Sequence, residues 1–303
     1  MIKHDLISIL DLSFEEIESI FSVASLGNEI FTEYKNALED KVLGSLFFQP
    51  STRTQFSLQS AFIRLGGNYI GCNNIDQTRS GSPYYESVDE LGAMVSNYCD
   101  LIIMRTIDAL QTDLIVQGAT IPVISAGSGN VEHPTQALTD LFTLQKVIGS
   151  LTNNKILIVG TPRQRTINSF IKGISQWTGN EFYIICQQGI TIDNTIIDSS
   201  INSHVHYFDS WESIFESGIS KDISVIYIDK IFYETHKHNR FVIEEDEFKH
   251  HFNKSVTILH PLPRTTELSK YMDMLPGAQY FNQAKYGLYV RASLYLHYLD
   301  YRF

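Results

Sequence analysis

Lysine is missing from a long stretch of this chain, with none between Lys41 and Lys146 in a sequence of 303 residues. Basic residues are scarce overall: 23 Lys and Arg stand against 34 Asp and Glu, a formal net charge of −11. A general nucleic-acid binder, which needs a basic face for phosphate backbones, is therefore excluded, and an anionic ligand must be held by a local positive pocket. Only three cysteines occur, Cys72, Cys99 and Cys186, widely spaced and without a C-x-x-C pair. That argues against a disulfide framework or a cysteine-built zinc site and fits a reducing cytoplasm. Apolar runs are too short to cross a bilayer, and "MIKHDLISILDLSFEEIESIF" lacks the basic start and long apolar core of a signal peptide. The expected protein is soluble and binds no membrane.

Core material is plentiful, with hydrophobic residues at 43%, including 18 Phe and 16 Tyr, and charged residues at 19%. Such a length supports two domains of ordinary size or one large one. Short runs rich in Val, Ile and Phe alternate with stretches of helical periodicity, the rhythm of parallel sheets covered by helices. In the first half the strand candidates are "KVLGSLFF", "GNYIGCN", "DLIIMR" and "IPVISAG". In the second they are "NKILIVG", "EFYIICQ", "VHYFD", "DISVIYID" and "VTILHP". Ser13 with Glu16, and Ser87 with Glu90, match capping boxes at helix starts. "QALTDLFTLQKVIG" reads as a helix stopped by Gly149. The expected fold is α/β, with two doubly wound parallel-sheet domains covering residues 1–134 and 135–284. The last stretch, 285–303, belongs to one amphipathic helix packing back on the first domain.

In "FFQPSTRTQFSLQSAFIRLGG", Ser51, Thr52, Arg53 and Thr54 fall between a strand and a helix that reads as "TQFSLQSAFIRLG". Unsatisfied N–H groups and the positive end of the helix dipole make that position an anion site, and Arg53 adds a two-pronged contact. A simple N-cap with a solvated arginine would also account for the pattern. The same topological place, where open α/β sheets bind ligands, recurs elsewhere. Arg105 ends "DLIIMR", "GSGNVEHPTQ" with His133 follows "IPVISA", Arg165 follows "ILIVGTPRQ", and "HPLPR" closes "VTIL". Repetition at four strand ends points to one shared cleft. The "GTPRQRT" turn lacks the G-x-G-x-x-G spacing of dinucleotide folds.

Taken in order, "STRT", "HPTQALTDLFT" and "LHPLPR" resemble the aspartate carbamoyltransferase catalytic chain, in the aspartate/ornithine carbamoyltransferase family. The similarity runs from the first helix to the last, and "HPLPR" favours the aspartate branch. The resemblance implies transfer of a carbamoyl group from carbamoyl phosphate to the amine of aspartate in pyrimidine synthesis, without metal or organic cofactor in the active site. By the same resemblance, Ser51, Thr52, Arg53 and Thr54 hold the phosphate, and Arg105 contacts phosphate and carbonyl oxygens. Thr54, Arg105 and His133 polarise the carbonyl oxygen; Gln136 and the backbone of Pro261 and Leu262 hold the carbamoyl NH2; Arg165 grips an aspartate carboxylate. A homotrimer with shared sites is implied too, with a regulatory chain or another pyrimidine enzyme as a further partner.

Three departures stand out against the family pattern. The loop that brings a serine and a lysine from a neighbouring subunit matches "NNIDQTRSGSPYYESVDE", where Arg79 and Ser80 are the candidates and no lysine is present. In "YIDKIFYET", Lys230 and Phe232 stand where the family has an arginine and a glutamine for the aspartate side chain. Gln49 replaces a glutamate before the phosphate motif. The carbamoyl phosphate half is intact, so three readings stay open: an aspartate carbamoyltransferase with compensating changes, a carbamoyltransferase for another amine, or a weak homologue retained as an assembly partner.

Overall fold

A computed structural model describes residues 4–80, 86–186, 191–192, 204–230 and 242–299. The chain divides into two compact units, Met1–Thr139 with Lys285–Phe303, and Asp140–Ala284. The division falls inside the helix expected near residues 135–149.

In the first unit, β1 (Val42–Phe47), β2 (Asn68–Cys72), β3 (Leu101–Thr106) and β4 (Val123–Ser128) form a parallel sheet in the order β2-β1-β3-β4. Central β1 and β3 are continuous apolar runs because helices cover both faces, and Ile102, Ile103 and Met104 are fully buried. Full burial of one such side chain contributes about 1.5–3 kcal/mol. Two helices, α1 (Phe14–Ala24) and α2 (Ile30–Glu33), precede β1, and the crossover helices are α3 (Thr52–Arg64), α4 (Val88–Ser96) and α5 (Ala109–Gly118). Both capping boxes are formed, Ser13 with Glu16 and Ser87 with Glu90. At the outer edge of β4, the backbone of Leu6 donates to Val123 and accepts from Ser125, and Asp5 accepts from the Val123 N–H. Residues near the chain start thus close that edge.

The second unit holds β5 (Lys155–Val159), β6 (Glu181–Ile185), β7 (Val205–Phe208), β8 (Val225–Ile228) and β9 (Thr257–Leu259), also parallel, in the order β7-β6-β5-β8-β9. Leu157, Val159, Ile226 and Ile228 pack with Trp211 into its core. Long α6 (Pro134–Ile148), then α7 (Arg165–Ile174), α8 (Trp211–Ser217) and α9 (Glu245–His251), precede the last helix, α10 (Tyr280–Tyr298).

All nine strand segments read from the sequence are strands. Two helices differ from expectation. Helix α3 begins two residues earlier than the stretch read as helical, so Thr52, Arg53 and Thr54 make its first turn at the end of β1, and Ser51 is the N-cap. The last helix is not amphipathic along its length, because every residue from Tyr289 to Leu296 is buried. Three of its polar residues find partners: Ser293 donates to Ile20 O at 2.8 Å, Tyr295 to Leu58 O at 3.1 Å, and Arg291 to the Ser57 hydroxyl. Among the described residues no helix is long and apolar enough to cross a membrane.

Candidate active site

Strand order selects one place in each sheet. From β1 the chain crosses to β2 on one side, and from β3 to β4 on the other, so the carboxyl ends of β1 and β3 flank a topological switch point. The second sheet reverses between β5 and β8 in the same way.

At the first switch point, β1 leads through Gln49 into Ser51 and α3. The Ser51 hydroxyl makes no capping bond, leaving the first-turn N–H groups and the helix dipole directed outward from the strand end. Thr54 is buried, whereas Thr52 and Arg53 are exposed. Partial desolvation pulls the Arg53 guanidinium below its ordinary value; it stays cationic at neutral pH, and an anion there would regain the lost solvation. Arg105 lies across from Phe47 in the β1–β3 register, at an irregularity in β3–β4 pairing between Met104 and Thr106. Such irregularities re-aim a side chain beside a site, and Arg105 Nη1 donates to Ala126 O at 3.3 Å. His133 follows β4 and precedes α6, whose first residue is Pro134, the residue type suited to an N1 position. It is buried, with Nδ1 3.4 Å from the Thr135 hydroxyl. Gln136, half-buried, sits in the same first turn. Ser51–Thr54, Arg105 and His133 with Gln136 therefore occupy the carboxyl ends of three adjacent strands.

The sequence did not single out Glu132, which fixes the His133 loop. It accepts from the Ser8 hydroxyl at 2.8 Å and from Ile9 N–H at 3.3 Å. Gln49 reaches Ile107 O at 3.5 Å. Arg79 is exposed and Ser80 half-buried, the latter bonded to Thr78 through its backbone. Residues 81–85 of that loop, and Phe232, lie outside the described residues.

At the second switch point, Arg165 opens α7 after β5, and Asp229 and Lys230 follow β8. Burial pulls the Arg165 guanidinium down, partly offset by the Asp229 carboxylate nearby. Asp229 is buried, accepts from the Thr166 hydroxyl and from the Lys230 N–H at 2.6 Å, and is pushed up by desolvation. Asp229 was also missed from sequence. Its carboxylate holds the start of α7 and the end of β8 together and lowers the positive potential around Arg165.

Pro261 and Leu262 follow β9. The Leu262 backbone is left-handed, with φ of 52°, a conformation that costs a branched residue free energy unless its surroundings impose it. Here its N–H donates to His260 Nδ1 at 2.8 Å. His260 Nδ1 is thus an acceptor, so Nε2 carries the proton and donates to Glu267 Oε1 at 3.0 Å. His260 N–H in turn donates to Gln283 Oε1 at 3.0 Å, Gln283 bonds Asp140, and Asp140 accepts from the Tyr227 hydroxyl at 2.9 Å. This buried chain of groups sets the backbone carbonyls of Pro261 and Leu262.

Glu267 makes that chain sensitive to acid. Burial alone would raise its carboxyl, but the His260 and Thr265 donors outweigh it and hold it down at about 2. A depressed carboxyl contributes stability above its unfolded value near 4.5, and that contribution is lost as pH falls through about 2. Acid titration of unfolding should therefore show wild type and Glu267→Gln converging over this window. A constant difference across it would contradict the assignment.

Among the described residues, neither switch point gathers three His, Cys, Asp or Glu side chains able to hold a metal ion. What the arrangement provides is a cationic site on each of two doubly wound units, one of them at a helix N-terminus on the same sheet edge as the buried His133: the layout of a protein that binds anionic small molecules. Residues 4–146 match the carbamoyl-P binding domain, and residues 152–298 the Asp/Orn binding domain, of the aspartate/ornithine carbamoyltransferases. The aspartate carbamoyltransferase catalytic subunit of Clostridium kluyveri is 35% identical over 305 residues, 95% of each chain. That of Clostridium botulinum is 34% identical over 308 residues, 96% of each. In fold, the chain is similar to aspartate transcarbamoylase from Trypanosoma cruzi solved with carbamoyl phosphate and aspartate, with a TM-score of 0.84 and 23% identity over 97% of this chain and 96% of that one. This chain belongs to the aspartate/ornithine carbamoyltransferase family and is a transferase.

Proposed function

We propose that this protein transfers the carbamoyl group of carbamoyl phosphate to the amine of L-aspartate, giving N-carbamoyl-aspartate and phosphate. The observation that carries this reading is the first switch point, where Ser51–Thr54, Arg105 and His133 meet the carboxyl ends of adjacent strands. Unit one is then the carbamoyl phosphate domain and unit two the amino-acid domain. The first turn of α3, with Ser51, Thr52, Arg53 and Thr54, takes the phosphate. Arg105, Thr54 and His133 donate to the carbonyl oxygen, where negative charge gathers as the amine attacks. Gln136 and the carbonyls of Pro261 and Leu262 accept from the carbamoyl NH2. Departing phosphate, neutralised by Arg53 and Arg105, accepts the amine proton, so no side-chain nucleophile is required. Arg165 takes one aspartate carboxylate and Lys230 the other.

The family supports a cytoplasmic homotrimer acting in pyrimidine synthesis, with Arg79 or Ser80 reaching a neighbouring subunit's site, and with a regulatory chain or another pyrimidine enzyme as a further partner. One observation favours a second acceptor. Buried Asp229 places a carboxylate near Arg165, which weakens a dianion and would suit an amine with an extra positive group.

The test is carbamoyl transfer by purified protein with aspartate and a panel of other amino acids. Transfer to aspartate above all others supports the first reading; preferential transfer to a cationic amino acid supports the second; no transfer to any amine overturns both. Calorimetry adds an independent check of the phosphate site. Arg53→Ala should weaken carbamoyl phosphate binding roughly 10–100-fold, the loss of a charge-assisted contact, with an unchanged melting temperature. Equal affinity would remove Arg53 from the site.

A further inference from the structure

His4, Glu16 and His297 come from the segment before α1, from α1 itself and from the end of α10, elements that carry none of the substrate-binding residues. Each offers one ligand atom, and all three atoms lie within 4.8 Å of one another. His297 Nε2 stands 3.5 Å from Glu16 Oε1. That is long for a hydrogen bond, but it is close to the edge, roughly 3.4 Å, of a tetrahedron centred ~2.0–2.1 Å from its ligands. We propose that these three side chains form a binding site for a divalent transition metal of the zinc type, with water in the fourth position.

Three features support the site. First, each ligand is already oriented. Glu16 Oε2 accepts from the Ser13 N–H at 2.8 Å in the capping box, so Oε1 is the oxygen turned to His297. His4 Nε2 is 3.1 Å from Asp11 O, and its ring stacks on Tyr298 at 5.5 Å; the His297 ring packs at a steep angle against the same tyrosine at 5.4 Å. Such second-layer contacts fix ligand geometry in metal sites. Second, the surroundings are negative. Asp5 and Asp11 lie on the same short segment as His4, and a cation would be drawn to their charge. Third, donor chemistry selects the ion. Two imidazoles and one carboxylate suit zinc-like metals, whereas magnesium and calcium prefer all-oxygen shells.

Bound metal would tie both ends of the first unit together, so its effect is on stability rather than on turnover. The experiment titrates zinc into untagged, chelator-treated protein near neutral pH by calorimetry, with a thermal melt in parallel. Expected are one strong site, a rise in melting temperature with zinc but not with an equal concentration of magnesium, and unchanged carbamoyl transfer. His4→Ala, at an exposed residue, should weaken that site by more than the roughly 10–100-fold typical of second-layer changes and abolish the zinc-dependent rise. Glu16→Gln keeps an acceptor for the Ser13 N–H yet should weaken zinc as well. Zinc binding that survives both substitutions unchanged would overturn the proposal, as would no strong binding to the wild type.

Discussion

Arg105→Ala should lower kcat by about 100- to 1,000-fold, the loss of about 2.7–4 kcal/mol of transition-state stabilisation from one donor to a developing oxyanion. No other side chain at the first switch point combines its position and chemistry. It sits on a central strand, opposite Phe47 in register, and one of its guanidinium nitrogens is anchored on Ala126 O. A preset donor costs no reorganisation when charge develops, which is why its loss falls on the chemical step more than on binding. Arg105→Lys tests the geometry separately, since an ammonium keeps the charge but cannot hold both Ala126 O and the substrate through a planar fork. It should recover only part of the loss. Steady-state kinetics at saturating carbamoyl phosphate, alongside a thermal melt, decide the matter. A kcat within a few-fold of wild type in a folded Arg105→Ala protein would mean that the carbonyl oxygen is polarised elsewhere.

Asp140→Ala should destabilise the second unit by roughly 2–6 kcal/mol, because it strands two buried donors, the Tyr227 hydroxyl and the Gln283 amide, at about 1–3 kcal/mol each. Tyr227 and Gln283 are both buried, so neither donor can turn to solvent. The loss should also loosen the loop at Pro261 and Leu262, since Gln283 is the group that accepts from His260. The chain's two tryptophans, Trp177 and Trp211, both lie within the second unit, so their fluorescence in a urea titration reports on that unit. A midpoint unchanged from wild type would show that the network contributes little.

How far the sequence reveals this architecture depends on the range over which each signal acts. Strands were legible because apolar, β-branched runs such as "LIIM" carry their own signal within a few residues. Arg53, Arg105 and His133 could be placed near strand ends because each lies at the end of such a run or a few residues past it, and strand order sets those three ends side by side. Asp140 looked like one more polar residue of a periodic helix, for its partner Gln283 lies 143 residues away. Glu267 and Asp229 were hidden for a related reason: their meaning comes from His260 and Arg165, which sequence spacing alone does not pair with them. The last helix misled because its tyrosines, serine and arginine look solvent-facing, while in the structure each finds a buried partner or an apolar neighbour. Where α3 begins could not be read from Thr54 onward because hydroxyl residues suit both a cap and a first turn.

The residues around Leu6 that close the outer edge of β4 have a consequence for synthesis. An open strand edge is a template for joining another chain, and β4 is the strand that leads to His133. Its cover leaves the ribosome first: Asp5 precedes its partner Val123 by 118 residues. When β4 emerges, the segment that protects it already exists in the same molecule, so the nascent protein need not present that edge to its neighbours while the remainder of the chain is still being made.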